Sequence, residues 1–424
     1  MTTQRGTGRY DAIVVGGGPA GSSTAFALQR GGARVLILDR ATFPRPKPCA
    51  EYLSPQASRL LCDMGALDAV EGAGAAHLAG MIVRAPNGAT LRGDFVAAHG
   101  YSAFRNRGLA LRRTVLDPIL LECARRAGAE VREHVRVTDV VRDATGRVTG
   151  VYAMGDGGTD TLRAPLVIGA DGLRSVIARR LGLARTSRVW PRRIALVAHF
   201  ENFGEVGDWG EMHVERGVGY VGLAAVDGGL TNVAMVIPSA AARAVSANRT
   251  AFFEQWLRDR PQLAPRVAGA RRVTPVVATG PFASHARRAW MPGAALVGDA
   301  ADFFDPFTGE GIYSALRGGE LLGVHALAYL GAGTCREADA ALRAYDRARR
   351  AEFRGKWIVE KAINAAVSFA PAINYFARTL ALRKDMADLL VGVTGDFVPA
   401  SQVLRPSYLF NLFRQPSRPS TPGA

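Results

Sequence analysis

The fold is decided near the start of the 424-residue chain, by residues 11–32, DAIVVGGGPAGSSTAFALQRGG. The run Asp11–Val15 is short, apolar and β-branched, which predicts a buried strand. The segment that follows the glycines is rich in alanine and predicts a helix that ends at Gly31 and Gly32. The stretch is therefore expected to form a strand–turn–helix unit.

The turn between this strand and this helix has the spacing G-x-G-x-x-G, at Gly16, Gly18 and Gly21. In such a turn the first glycine permits the tight bend, the second lets a pyrophosphate approach the backbone, and the third lets helix and strand pack closely. Pro19 and Ala20 open the helix, whose free N–H groups and partial positive charge attract phosphate. These five residues are predicted to bind a dinucleotide.

A second strand is predicted at residues 33–38, ARVLIL, and it ends in Asp39 and Arg40. Asp39 lies about 20 residues beyond the glycine turn, where an acidic side chain accepts hydrogen bonds from the ribose of an adenosine. The same carboxylate repels a 2′-phosphate. The sequence therefore predicts FAD or NAD here, with Asp39 and Arg40 among the contacts, and excludes NADP at this site.

Three further motifs stand at the ends of predicted strands or at the start of a helix. They are LVIGADGLRS at residues 166–175, ALVGDAA at 295–301, and DFFDPFTGEGIYSA at 302–315. The first two are buried strands that run directly into Asp-Gly and Gly-Asp turns. The residues at these turns are Asp171, Gly172, Gly298, Asp299, Pro306, Gly309, Gly311 and Ile312.

In this order, the motifs resemble those of the FAD-dependent superfamily that contains the aromatic-ring hydroxylases (single-component flavin monooxygenases) and the geranylgeranyl reductases. The resemblance runs from residue 11 to about residue 320. It implies an α/β fold: a Rossmann-like FAD-binding domain of the glutathione-reductase/p-hydroxybenzoate-hydroxylase type, with a β-sheet substrate domain and C-terminal helices.

The resemblance also implies that these eight turn residues contact the cofactor, and it implies roles for individual residues. Asp299 holds the ribityl chain of FAD, and the Asp171 turn lies near the pyrophosphate. RTVLDPIL, at residues 113–120, matches a helix start whose arginine, here Arg113, reaches the FAD phosphates or ribityl chain. A helix that begins near Gly309 points its positive end at the flavin, which favours the reduced anion. An NAD dehydrogenase does not need a second Gly-Asp strand so far along the chain, so FAD is the expected cofactor.

A second dinucleotide fingerprint is not found, since Gly72 and Gly74 follow no strand and lack a third glycine. NADPH or NADH is therefore expected to visit the flavin as a transient reductant without a domain of its own, as in the single-component hydroxylases. The predicted bounds are residues 1–80, 103–185 and 277–335 for a discontinuous FAD-binding domain, 81–102 and 186–276 for a strand-rich substrate domain, 336–412 for a C-terminal helical cap, and 413–424 for a disordered tail.

Composition bounds the classes of partner. The chain is 48% hydrophobic and 21% charged, which suits a globular protein with a sizeable core. Its formal net charge of +16 suits an anionic cofactor or an anionic membrane surface. Nucleic acid is not expected as a partner, because the arginines are scattered among apolar positions. The basic amphipathic pattern after residue 335 predicts either a helical cap or a face resting on a membrane.

Four cysteines, Cys49, Cys62, Cys123 and Cys335, show neither a CxxC pair nor metal-ligand spacing. They are expected to be free thiols in a reducing compartment, and no metal is predicted. The N-terminus shows no apolar signal region before the first strand. A cytoplasmic protein is expected, with peripheral contact at the inner membrane surface as an alternative.

The segment Phe43–Pro55, FPRPKPCAEYLSP, resembles a stretch of the geranylgeranyl reductases in which lysine and cysteine precede two glycines. Lys47 and Cys49 match that stretch, whereas Ala50 and Glu51 replace the glycines. Lys47 and Cys49 are therefore predicted catalytic residues. The alternative is a proline-braced loop that packs over the flavin edge.

Residues that line the substrate cavity are predicted from the strand-like segments over the flavin. Tyr52, His213 and Tyr220 are the candidates, with His199 as a further one, and Tyr220 is also a candidate catalytic residue. A histidine on a strand is more often a core residue than an acid or base, so the two histidines are the weaker candidates.

Two reactions suit this scaffold. In the first, NAD(P)H reduces FAD, a flavin C4a-hydroperoxide forms, and its oxygen is transferred to a lipophilic aromatic or polyketide-like ring, as in secondary metabolism. In the second, reduced FAD transfers a hydride to a prenyl double bond. Residues 219–226, GYVGLAAV, lack the aromatic and proline residues of the lipid reductases' G-Y-x-W-x-x-P stretch. The sequence thus favours the monooxygenase by a small margin. A non-catalytic flavin-binding protein is the alternative from another class.

Overall fold

The computed structural model describes residues 10–97, 100–187, 192–217 and 219–414. The predicted tail from residue 415 onwards, and residues 1–9 of the predicted FAD-binding domain, lie outside these ranges. Within them, strands supply two large sheets, and helices cover the sheets and form most of the C-terminal part of the chain.

The strands of six or more residues lie between residues 136 and 238. The strands as far as residue 169 are β1 (Ala12–Val15), β2 (Val35–Leu38), β3 (Tyr52–Leu53), β4 (Ala76–Leu78), β5 (Gly80–Arg84), β6 (Thr90–Asp94), β7 (Gly108–Ala110), β8 (Glu130–Arg132), β9 (Arg136–Arg142), β10 (Val148–Gly155), β11 (Gly158–Arg163) and β12 (Leu166–Gly169). The others are β13 (Ala184–Thr186), β14 (Arg193–Glu201), β15 (Trp209–Glu215), β16 (Gly219–Val226), β17 (Leu230–Pro238), β18 (Arg271–Arg272), β19 (Val277–Thr279), β20 (Ser284–Ala286), β21 (Trp290–Met291), β22 (Ala294–Leu296) and β23 (Asp302–Phe303).

The two longest helices both begin after residue 310. The helices are α1 (Pro19–Arg30), α2 (Ala57–Asp63), α3 (Leu67–Gly72), α4 (Arg113–Arg126), α5 (Val176–Arg180), α6 (Ala242–Ala247), α7 (Arg249–Arg258), α8 (Ala264–Val267), α9 (Gly311–Leu330), α10 (Cys335–Ser368), α11 (Ala370–Ala381), α12 (Lys384–Thr394) and α13 (Pro406–Phe413). Short 3-10 turns lie at Gly298–Ala300 and Pro306–Thr308, before α9.

A six-stranded sheet in the order β21-β22-β12-β1-β2-β8 forms the first core. Its strands from β22 to β8 are parallel, with Ala12 opposite both Leu166 and Val35. All residues of β1, β2 and β12 are buried, as is typical of parallel strands covered on both faces. This sheet confirms the predicted α/β, Rossmann-like fold. Because the strands are parallel, the turns that follow β1, β2, β12 and β22 meet at one edge.

An eight-stranded, largely antiparallel sheet forms the second core, in the order β18-β14-β17-β16-β15-β5-β6, with β19 also paired to β14. Its strands come from both segments of the predicted substrate domain, because β15 pairs in parallel with β5, Trp209 opposite Gly80. The strand Val277–Thr279 joins this sheet beyond the predicted bound at residue 276. The other domain bounds stay a prediction.

The C-terminal helices connect the two sheets. Helix α10 has 34 residues and is therefore about 50 Å long. Thr334 and Glu337 form a capping box at its start, which fixes where the helix begins. It packs against α9 and β21 of the first core and against α11 further along the chain. Among the described residues, every helix is too short or too polar to cross a bilayer.

Helices α1 and α9 pack closely because Gly319 faces α1. A Cβ at residue 319 would lie 1.9 Å from Ser23 Oγ and 2.8 Å from Thr24 N. Gly319→Ala is therefore expected to lower the free energy of unfolding by about 1–3 kcal/mol, the usual cost of overpacking. Urea unfolding of the wild-type and variant holoproteins measures this change in the free energy of unfolding.

Gly72→Ala is the matched control, because a Cβ at residue 72, at the end of α3, would meet no atom within 4 Å. It is expected to leave stability unchanged or to raise it slightly. Equal unfolding curves for the two variants would contradict the close α1–α9 contact.

Candidate functional site: a cavity between the two sheets

One large cavity, about 1030 Å³ in volume, lies between the carboxyl edge of the six-stranded sheet and one face of the eight-stranded sheet. The turns after β1, β2, β12 and β22 line one end of it. Strands β14 to β17 line the other end, and α10 closes one side. A polar, loop-built end and a largely apolar, strand-built end thus belong to one chamber.

Nearly all of the cofactor contacts predicted from the sequence line this cavity, and their binding role stays a prediction. The exception is Gly21, which lies behind the turn in the first helical turn of α1. The predicted residues that line the cavity are Gly16, Gly18, Pro19, Ala20, Asp39, Arg40, Arg113, Asp171, Gly172, Gly298, Asp299, Pro306, Gly309, Gly311 and Ile312.

The three motif glycines are glycines for three different reasons. Gly16 has a φ of 107°, and a Cβ there would lie 2.4 Å from the Ala170 carbonyl oxygen of the neighbouring strand end. A Cβ on Gly21 would lie 1.8 Å from the Gly16 carbonyl oxygen. At Gly18, by contrast, no protein atom comes within 3.4 Å of the Cβ position. The backbone at Gly18 is therefore open to the cavity, as a bound pyrophosphate requires.

Two guanidinium groups face this open backbone. Arg45 Nη2 and Arg113 Nη2 lie 3.4 and 3.8 Å from the Cβ position of Gly18. Arg113 donates from Nε and Nη2 to Asp117 at 2.6 and 2.8 Å. Burial alone would lower the pKa of Arg113, but the Asp117 carboxylate raises it above its usual value. Two positive charges at the first turn of α1 therefore suit a pyrophosphate.

Asp39 is fixed at the end of β2 by two backbone donors. The Gly17 N–H donates to its Oδ2 at 2.8 Å, and the Ala41 N–H donates to its Oδ1 at 2.9 Å. Only 7% of Asp39 is exposed, and what remains accessible faces the cavity. The carboxylate is thus held where the predicted ribose contact requires it.

The remaining acidic turns supply further polar groups. Asp171 Oδ2 accepts from the Val176 N–H at 2.6 Å, while its Oδ1 is buried without a hydrogen-bond partner among the described residues. Burial raises the pKa of Asp171. Asp299, in the Gly-Asp turn, forms an ion pair with Lys47 at 3.4 Å. An orphaned buried carboxylate oxygen indicates a ligand group that would satisfy it.

The turn before α9 is shaped by Asp305 and Gly309. Asp305 caps it by accepting from the Phe307 N–H at 3.2 Å. Gly309 has a φ of 74°, and a Cβ there would lie 2.8 Å from the ring of Tyr52. Helix α9 begins at Gly311, so its free N–H groups point toward the cavity. The open backbone at Gly18, the paired guanidiniums, the orphaned Asp171 oxygen and this helix start together fit FAD.

The predicted catalytic residues Lys47 and Cys49 both line the cavity, on the loop between β2 and β3. The Glu51 N–H donates to Cys49 Sγ at 3.3 Å, and Asn232 Nδ2 donates to the Cys49 carbonyl oxygen at 3.0 Å. The Arg113 guanidinium lies against the Cys49 thiol. The loop is thus tied to both halves of the molecule.

Glu51 is the residue that makes these ties. It is 2% exposed and has a φ of 62°, although it is not a glycine. Its carboxylate accepts from the Arg113 N–H at 2.9 Å and from Asn232 Nδ2 at 2.8 Å, and His199 Nε2 lies 2.7 Å from it. A side chain that stands where the reductases have glycine thus clamps the loop to β14 and β17. His199 belongs to this clamp and does not line the cavity.

Tyr52 and Tyr220 line the cavity as predicted. The Tyr52 hydroxyl is buried and has no partner among the described residues. The Tyr220 hydroxyl donates to Asp305 Oδ1 at 2.5 Å, and burial followed by the Asp305 charge raises the pKa of Tyr220 well above its usual value. Tyr220 therefore supports the turn before α9, while Tyr52 has a hydroxyl free for a ligand.

His213 corrects the prediction that it lines the cavity. It is 2% exposed, and its Nε2 lies 2.8 Å from Glu211 Oε2 and 3.4 Å from Arg266 Nη1. It is not among the cavity residues. On the same strand Gly210, Glu211 and Met212 line the cavity, whereas the His213 ring is buried against Glu211 and Arg266.

Helix α10 contributes a row of side chains that sequence reasoning assigned only to a cap. Phe353, Lys356, Trp357 and Glu360 all line the cavity. Their spacing of three, four and seven residues places them on one face of a helix. That spacing is visible in the sequence, but only the packing of α10 shows which face meets the cavity.

Charged groups from α10 and the turn before α9 lie close together. Lys356 forms an ion pair with Glu310 at 3.5 Å and contacts Asp396. Burial raises the pKa of Glu310 and lowers that of Lys356. Glu360 accepts from the Asp305 N–H at 3.0 Å, and burial, with the charge of Glu310, raises its pKa to about 8. The surroundings of Glu360 therefore favour its protonated form.

Comparison with known proteins gives one matching family model and several relatives. The model is described as an FAD binding domain and matches residues 9–355. The chain is 30% identical over 398 residues to digeranylgeranylglycerophospholipid reductase 2 of Methanopyrus kandleri, covering 92% of this chain and 94% of that protein.

Two other matching proteins are named as a receptor and as a halogenase. The chain is 28% identical over 325 residues to conditioned medium factor receptor 1 of Dictyostelium discoideum, covering 74% of this chain. It spans only 62% of that relative's length. The structure of a myxobacterial chondrochloren halogenase, an FAD-dependent halogenase, matches with a TM-score of 0.74 and 26% identity, covering 83% of this chain and 82% of that one.

The open backbone at Gly18 gives a test that separates folding from cofactor binding. Gly18→Val is expected to leave the thermal unfolding temperature of the apoprotein unchanged, because the Cβ position is free of close contacts. It is expected to weaken FAD binding by about a hundredfold, or about 2.8 kcal/mol, because the side chain occupies the pyrophosphate position. Fluorescence titration of the apoprotein with FAD measures the affinity.

Gly21→Val is the matched comparison within the same turn. Its Cβ would collide with the Gly16 carbonyl, so this variant is expected to destabilise the apoprotein itself. Unchanged FAD affinity in Gly18→Val would show that the pyrophosphate does not lie at this turn.

Proposed function

This chain belongs to the FAD-binding domain family of FAD-dependent oxidoreductases, and on that basis we propose that it reduces a carbon–carbon double bond of a lipophilic, prenyl-type substrate. The observation that carries the proposal is Glu360, a carboxyl group on the wall of the cavity that accepts from the Asp305 N–H and whose protonated form its surroundings favour. The alignment with a digeranylgeranylglycerophospholipid reductase over most of both chains supports the same class of reaction.

The cofactor end of the cavity is suited to accumulate negative charge. Bound FAD supplies a reversible two-electron carrier. The start of α9 at Gly311 presents free N–H groups on the cofactor side of the cavity. These groups would stabilise negative charge on a reduced cofactor. We propose NADPH or NADH as the transient source of the two electrons.

The substrate end is suited to an apolar molecule. Strands β14, β16 and β17 present small or aliphatic side chains to the cavity, and these leave room while they exclude water. Tyr52 and Phe307 border the same space from the cofactor side. The residues on the sheet wall are Ala195, Val197, Gly222, Ala224, Ala234 and Val236.

Reduction of an isolated double bond adds a hydride to one carbon and a proton to the other. We assign the proton to Glu360, because a donor must still hold its proton at the working pH. Burial raises the pKa of Glu360 most and the charge of Glu310 raises it further, while the hydrogen bond from the Asp305 N–H and the charge of Lys361 lower it by less. Solvent water returns the proton to the carboxylate after each turnover.

Hydroxylation of a lipophilic aromatic ring is the second candidate, and one position favours it. Gly222 lies on the cavity wall, at the place where the lipid reductases' G-Y-x-W-x-x-P stretch has tryptophan. Without that ring the cavity has room for a fused aromatic substrate. The sequence alone favours this reaction, whereas Glu360, which only packing brings to the site, favours reduction.

Anaerobic reoxidation of the flavin tests the proposal directly. The holoprotein is reduced with NADPH or NADH without oxygen and then mixed with a geranylgeranyl lipid. Reoxidation, with a product two hydrogens heavier by mass spectrometry, is the expected result. Oxygen uptake stimulated by a lipophilic phenol, with one oxygen atom gained, would establish the second candidate instead. A yellow flavin that neither NADPH nor NADH bleaches would indicate a flavin-binding protein without turnover.

The pH dependence of that reoxidation tests the role of Glu360. The rate is expected to be constant below pH 8 and to fall above it, because Glu360 loses its proton near a pKa of about 8. Glu360→Gln cannot donate a proton and is expected to lower the rate by about 10²–10⁴-fold and to abolish the break in the profile. Glu122→Gln, on the exposed face of α4, is the matched control and should leave both unchanged.

Stability provides an independent readout of the same carboxyl group. The pKa of Glu360 is raised above its usual 4.5 to about 8, so the unfolded chain releases this proton more readily than the folded one. The wild-type protein is therefore expected to lose stability relative to Glu360→Gln as pH rises from about 4.5 to 8. If the free energies of unfolding of the wild type and of Glu360→Gln changed equally with pH across that range, the raised pKa of Glu360 would be contradicted.

A further inference from the structure

We infer that α13 and the end of α11 dock the protein on the surface of an anionic lipid bilayer. The docking face consists of Leu382, Leu409, Phe410 and Phe413, and we call it the α13 face. The inference itself rests on the chemistry of this surface. Its link to substrate entry rests on the proposed function, because a lipophilic substrate would reside in the bilayer.

The α13 face is exposed and apolar. Leu382 is 70% exposed, Phe410 66% and Phe413 62%. On α13, residues 409, 410 and 413 share one side of the helix, whereas Tyr408 and Leu412 face inward. Surface helices normally present polar residues to water, and PSYLFNLF contains no charge at all. An apolar side of a helix that faces water indicates a site of interaction with a membrane or with another protein.

The exposed rings are held in place by the underlying helices. The Tyr375 hydroxyl, on α11, donates to the Phe413 carbonyl oxygen at 2.9 Å. The ring of Phe413 stacks on Tyr375 with centroids 6.4 Å apart and meets Phe376 edge-on at 5.8 Å. The Tyr408 hydroxyl donates to the Met386 carbonyl oxygen at 3.1 Å. The aromatic side chains are therefore presented by an ordered surface.

Cationic groups surround the α13 face. Arg405 precedes α13 and Arg414 follows it, and both are exposed. Arg378, on α11, is exposed as well, and none of the three pairs with a carboxylate among the described residues. Asp385 is the acidic residue beside Tyr408 at this face. An apolar centre with unpaired guanidinium groups around it matches anionic headgroups over acyl chains.

The opposite side of α11 leads to the cavity. Ile373 and Ala377 face inward from α11 and belong to the same apolar cluster as Tyr220 and Phe307, which line the cavity. One helix therefore separates the α13 face from the apolar chamber. This favours a bilayer over a protein partner, because the surface that meets the lipid lies beside the space that would receive a lipophilic molecule.

Vesicle binding by the full-length holoprotein tests the inference. Co-sedimentation is measured with vesicles of phosphatidylcholine alone and of phosphatidylcholine with phosphatidylglycerol. Binding to the anionic vesicles is expected, and Phe410→Ser with Phe413→Ser should weaken it by about tenfold per phenylalanine removed. Arg405→Gln with Arg414→Gln should weaken binding to anionic vesicles only. Val324→Ser, at a 67% exposed position on α9, is the matched control and should bind like the wild type.

The outcomes separate this inference from the proposed function. Equal binding by the wild type and the double phenylalanine variant, or no vesicle binding at all, would overturn the inference. A dimer that the same variant abolishes, without vesicle binding, would assign the face to a second copy of the chain. Since anaerobic flavin reoxidation by a detergent-dispersed substrate needs no vesicle, its loss or retention reports on the proposed function alone.

Discussion

The buried ion pair between Arg193 and Asp305 holds the two halves of the cavity together. Arg193, at the start of β14, donates to Asp305 Oδ2 at 2.9 Å and to Asn364 Oδ1 of α10 at 2.6 Å. Asp305 also accepts from Tyr220 of β16 and caps the turn that precedes α9. A charge this deeply buried is stable only while all of its partners are present. The eight-stranded sheet, the cofactor turn and α10 are therefore fixed relative to one another.

The cavity combines two kinds of recognition that need different scaffolds. Its cofactor end is built from backbone turns at the ends of parallel strands, because phosphate and ribose are recognised by N–H groups, carboxylates and guanidiniums. Its substrate end is built from small side chains on antiparallel strands, because an apolar molecule is recognised by shape complementarity and by the exclusion of water. The loop that carries Lys47, Cys49 and Glu51 crosses from one end to the other, so the two parts meet without a flexible linker.

The sequence predicted what local chain geometry determines. Gly16, Gly18 and Gly21 act within one turn, so the Rossmann-like fold and the contacts at this turn followed from spacing, whereas the other predicted cofactor contacts followed from the resemblance of their motifs to a known family. His213 was misplaced because the direction of a strand side chain depends on register with neighbours far along the chain. Glu360 was missed for the same reason: its helical spacing was visible, but its contact with Asp305 is made only when α10 packs across both sheets.

The interleaving of the two sheets along the chain governs how the protein can be assembled. The six-stranded sheet begins at residue 12 and receives its strand β22 only at residues 294–296. Strand β5 likewise waits for β15, more than a hundred residues later, before it gains its parallel neighbour. During synthesis the glycine turn therefore leaves the ribosome long before the strand ends that enclose it. Such non-local pairing is slow to form, and bound cofactor would stabilise only the completed chain.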